Sequence, residues 1–67
     1  MPALHVVVAV LDNMLLKAVD DRRIWSGIIR DAVKGTPHHA RALVAFDTVN
    51  QQIDALAMAI DALKEAT

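Results

Sequence analysis

The chain has 67 residues, no cysteine and seven basic against eight acidic side chains; 55% of it is hydrophobic but only 3% aromatic. That length holds one domain at most, spanning 1–67, and a domain so small hides only about 60% of the surface its unfolded form exposes. Disulfides and thiolate zinc sites are excluded, and a formal charge of -1 gives no global field that would draw the chain to nucleic acid or an anionic membrane.

Small domains without such staples gain stability by association. The surplus of Ala, Val, Leu and Ile favours close helix contacts over a pocket lined by aromatic rings. The longest mostly apolar stretch ends at Asp12 and Asn13, short of the roughly 20 residues that span a bilayer. No Lys or Arg precedes it, so no targeting segment is evident and a cytoplasmic location is expected.

The first arm, about residues 3–34, opens on Leu4, Val6, Val7, Val8, Ala9, Val10 and Leu11, interrupted only by His5. Residues 3–11 suit either a helix or a strand exchanged with another subunit. The valines favour a strand by propensity, yet no second strand-like segment exists to pair with it. A helix is therefore expected, with an apolar stripe continuing through Met14, Leu15, Ala18, Val19, Ile24, Trp25, Ile28, Ile29 and Val33. Asp12-Asn13 and Asp20-Asp21 are candidate breaks, and Gly27 weakens a helix by up to about 1 kcal/mol, so this arm is either one rod or two. A helix apolar on every side from Val6 to Leu11 must be enclosed on all sides, which one antiparallel neighbour cannot do.

Lys34-Gly35-Thr36-Pro37 carries the strongest punctuation. A glycine suited to the position after a helix is followed by a capping hydroxyl and a proline suited to a first helical turn. Lys34 complements the negative end of the first arm's dipole. With a turn at 35–36, the flanking arms become antiparallel neighbours.

In the second arm, about residues 37–66, Phe46, Val49, Ile53, Leu56, Ile60 and Leu63 alternate steps of three and four. They occupy positions a and d of a heptad, with Ala42 at d and His39 at a. Asp47, Asp54 and Asp61 recur at b, away from the core. Leu43, Ala57, Ala45 and Ala59 stand at e and g, where a simple zipper carries charge, so the apolar stripe is too wide for one partner helix. Val44 and Met58, at f, are left exposed.

The expected packing and interface residues are Val7, Leu11, Leu15, Trp25, Ile29, Phe46, Val49, Ile53, Leu56, Ile60 and Leu63. Trp25 serves as an anchor in the core or between subunits. Arg30, Lys34, His38, His39 and Arg41 cluster at the hairpin tip, where they are candidates for contact with an anion or nucleic acid. Asp20-Asp21-Arg22-Arg23 reads as a solvated run. His38 and His39 have Ala42 and Leu43 four residues on, so the i, i+4 spacing of a shared metal site is missing and neither metal nor cofactor is expected. His5 is expected to be a partly buried polar residue at an interface. No nucleophile-and-base arrangement or phosphate loop marks the chain as an enzyme.

Pro2 after Met1 is similar to the start of tautomerases with an N-terminal catalytic proline, though heptads stand where that family needs another strand. In layout, the expected hairpin resembles small dimeric two-helix regulators, a likeness of fold alone. The sequence thus leads to an all-α antiparallel helical hairpin that assembles into a homo-oligomeric bundle. Its expected role is that of a non-enzymatic regulatory, adaptor or accessory module, with itself or another helical protein as partner. A nucleic-acid-binding regulator and a small metal-binding bundle are the alternatives.

Overall fold

A computed structural model describes residues 3–66 as two helices, α1 (Leu4–Asp31) and α2 (Pro37–Glu65), packed together as an antiparallel hairpin. Pro2 lies outside the described residues. Residues 4–31 are one unbroken helix, so neither Asp12-Asn13 nor Asp20-Asp21 breaks the first arm and Leu4–Leu11 is not a strand. Tertiary packing overrides the valines' preference, because residues at steps of four and three along this stretch meet α2.

The first arm ends earlier than expected. Ala32 turns extended at ψ 145°, its N–H still bonded to the Ile28 carbonyl, and Arg30 rather than Lys34 is the basic residue in the last helical turn. Gly35 is not the residue that ends the helix. It has φ 86° in a turn closed from Thr36 N–H to the Val33 carbonyl, as a type II turn requires at its third position. Thr36 then works in both directions. Its hydroxyl donates to the Val33 carbonyl at 2.7 Å and accepts from the His39 N–H at 3.3 Å, capping α2 ahead of Pro37.

The seam of α1 is Leu4, Val8, Leu11, Leu15, Ala18, Arg22, Trp25 and Ile29, an unbroken alternation of four and three, all half-buried except the buried Ala18. The seam of α2 is the expected one, with Ala42, Val49 and Ile60 buried and the others half-buried. Both helices are therefore in heptad register. Setting Leu11 and Ala18 at d and Leu15 and Arg22 at a assigns every other position of α1.

The molecule is a rod of 49 × 16 × 14 Å, and its radius of gyration is 15.3 Å where a compact chain of this length has about 11 Å. It exposes 5084 Å²; a compact 7.3 kDa monomer exposes about 4,200 Å², roughly 900 Å² less.

The two glycines should respond oppositely to alanine. A Cβ on Gly35 meets nothing within 4 Å but sits at positive φ, so Gly35→Ala should cost about 1–2 kcal/mol through backbone strain alone. Gly27 lies inside α1, its nearest neighbour a comfortable 3.9 Å away, so Gly27→Ala should stabilise by up to about 1 kcal/mol. Urea unfolding of the two variants measures both signs; a neutral Gly35→Ala would contradict the turn.

Candidate interaction surfaces

An antiparallel pair of heptad helices has two flanks beside its seam, and here they differ in chemistry. On one flank the g and c positions of α1 lie beside those of α2: Met14, Lys17 and Asp21 share a shallow groove with Gln52 and Ala55. On the other, e and b positions adjoin: Arg22 Nη1 donates to Asn50 Oδ1 at 3.4 Å, and His5 lies with Lys64 at the open end of the hairpin.

The g/c flank is apolar for most of its length. From α1 it presents Val7, Val10, Met14 and Ile24, all exposed, and half-buried Ile28. From α2 it presents Ala45, Thr48, Ala55, Ala59 and Ala62, all small, with exposed Gln52 among them and His38 and Arg41 at the end near the connection. Lys17 and Asp21 are the charges near the middle of its α1 edge, and Asp31 stands at the end of that edge. Large side chains thus line most of one edge of the flank and small ones most of the other.

The e/b flank carries charge. Asp47, Asp54 and Asp61 run along α2, with Gln51 donating to Asp47 at 3.0 Å. Toward the connection, Arg22, Arg23 and Arg30 of α1 line an open cleft of about 390 Å³ with Val19, Ser26, Gly27 and Phe46. Arg22 occupies a seam position but is half-buried rather than buried, its long stem packing while its head reaches the flank. Arg30 lies back along α1 with Nη2 3.9 Å from where a Gly27 Cβ would stand, and its Nε is 3.6 Å from Asp31 in an exposed pair. Three arginines thus line one cleft together with Phe46.

Most of the residues expected to pack lie in the seam: Leu11, Leu15, Trp25, Ile29, Phe46, Val49, Ile53, Leu56, Ile60 and Leu63. Val7 does not. Leu4 and Val8 take the inward positions there and leave it on the g/c flank, beside Met14 one heptad on. Of the expected α1 stripe, Met14, Ile24 and Val33 are exposed, and Val19 and Ile28 flank the seam. Val44 and Met58 are exposed as the register requires, at 68% and 72%.

The basic tip is not one patch. Arg30 stands on the e/b flank, Lys34 in the connection, exposed His38 and Arg41 on the g/c side, and half-buried His39 in the seam. The arginine cleft is a second local concentration of positive charge; Arg22 and Arg23 line it, and Asp20, Asp21 and Arg23 are exposed, as expected of a solvated run. His5 is exposed beside Leu4, Val8, Leu63 and Lys64. Among the described residues, no three His, Asp or Glu side chains come together in a group that could hold a metal, and no helix is long and apolar enough to cross a membrane.

No family model matches the chain, and comparison with curated proteins and with solved structures gives no significant match. Any functional reading therefore rests on these surfaces.

Proposed function

We propose that the protein is a non-enzymatic interaction module that works as a homo-oligomeric helical bundle in a regulatory, adaptor or accessory role. One observation carries this reading. The hairpin leaves exposed about 900 Å² more than a compact monomer of its mass, and large apolar side chains contribute to it, among them Val10, Met14, Leu16 and Ile24. Covering the apolar part of that surplus favours association, and specific interfaces cover about 800 Å² per partner. Light scattering of the purified chain across concentration should give at least twice the 7.3 kDa chain mass. A mass of 7.3 kDa throughout would refute the reading.

The arginine cleft favours a second reading, binding of a phosphate-bearing ligand. Arg22, Arg23 and Arg30 line one cleft, where a bound phosphate would accept charge-assisted hydrogen bonds from their guanidinium groups, with Ser26 adding a hydroxyl. Inorganic phosphate and a short single-stranded oligonucleotide, titrated at low salt, should each shift the amide resonances of Ser26 and Gly27 if a backbone phosphate is accepted, phosphate alone if only small ligands are. The Arg23→Gln, Arg30→Gln double variant should lose the response and Arg41→Gln keep it; no shift with either probe removes this reading.

A further inference from the structure

We infer that the g/c flank is the self-association surface and that a second copy of this chain covers it about a two-fold axis, α1 packing antiparallel on the partner's α1. The inference rests on the proposed homo-oligomer and names the face and geometry through which it forms.

The outline of the flank sets the first condition. A rod of 49 × 16 Å offers a side of about 800 Å², the area each partner contributes to a standard interface. The g/c flank is the more apolar of the two, its charges being Lys17 and Asp21 at the middle and Asp31 and Arg41 near the connection, so burying it strands fewer carboxylates and guanidinium groups than burying the e/b flank. Asp47, Asp54, Asp61, Arg23 and Arg30 all stand on the e/b flank, and this arrangement keeps them in water.

The order of side chains along α1 sets the second. An axis crossing the g/c flank midway between Lys17 and Asp21 pairs Lys17 with the partner's Asp21, Met14 with the partner's Ile24 and Val10 with the partner's Ile28. These three matches are of like with like in hydrophobicity and of opposites in charge, from residues at positions 10, 14, 17, 21, 24 and 28; at the ends of the contact Val7 falls beside the partner's Asp31, where solvent is within reach. The same axis brings the other edges of the two flanks together, where Ala45, Thr48, Ala55, Ala59 and Ala62 let two copies of α2 approach and the amide of Gln52 faces its own copy near the axis. The product is a four-helix bundle in which every neighbouring pair is antiparallel.

Met14 and Leu16 provide the first test, because both are exposed, at 50% and 64%, yet stand on opposite flanks. Met14→Glu should raise the dimer dissociation constant at least about 100-fold, because the partner would bury an unpaired carboxylate. Leu16→Glu should leave it unchanged. The charged pair tests the axis itself with variants that do not touch the seam. Lys17→Asp and Asp21→Lys should each weaken self-association severalfold, and an equimolar mixture of the two should recover it, since both cross-pairs are then opposite in sign. A wild-type chain that stays monomeric would overturn the proposed function and this surface with it. A wild-type chain that associates, with Leu16→Glu as damaging as Met14→Glu or with no recovery on mixing, would overturn the surface alone.

Discussion

α1 and α2 meet along a single seam, and a helix with one neighbour can hide only the stripe that faces it. Ala18, Ala42, Val49 and Ile60 are the residues buried along this stripe, and no large side chain is wholly enclosed. The remaining apolar side chains fall on flanks and outer faces that the seam cannot reach. A wider core would need a third element, but the connection from Ala32 to Thr36 is spent on turning the chain and capping α2. What lies on the flanks is therefore the chemistry this chain has to offer other molecules.

The two flanks divide that chemistry. Alanines at g and c of α2 and larger aliphatic side chains at g and c of α1 make one flank suited to close packing. The e/b flank sets a row of aspartates against a group of arginines and remains soluble by its charge. Arg22 marks the boundary: it takes a place in the seam that an aliphatic residue would fill, and its head emerges on the charged side, bonded to Asn50. A residue that gives up apolar packing there is easier to understand if its guanidinium has work in the cleft.

Periodicity made the second helix legible residue by residue, down to the exposed Val44 and Met58, because a 29-residue segment with an uninterrupted alternation of three and four admits one register. The Thr36-Pro37 start of α2 was equally plain, since a capping hydroxyl before a proline has few other uses. The first helix was harder. Val6–Leu11 is apolar on all sides, so the walk from Leu4 to Val8 to Leu11 is hidden among valines that fit any register, and Val7 reads as an inward residue as readily as Val8. Arg22 interrupts the apolar pattern at a seam position, which masked the continuity from Ala18 to Trp25. The same interruption hides the cleft: only with Ala18 at d does Arg22 fall in the seam with Arg23 and Arg30 on the flank next to it and Arg41 on the other. The end of the first helix is not legible from Gly35, because that glycine serves a turn that begins after the helix has stopped.

If contact between copies completes the native state, as proposed, unfolding is linked to dissociation. Thermal melting followed by far-UV circular dichroism at protein concentrations two orders of magnitude apart tests that linkage most directly. The account requires the midpoint to rise with concentration. A midpoint that does not move, with a single cooperative transition at every concentration, would show that the hairpin is stable alone and would contradict it.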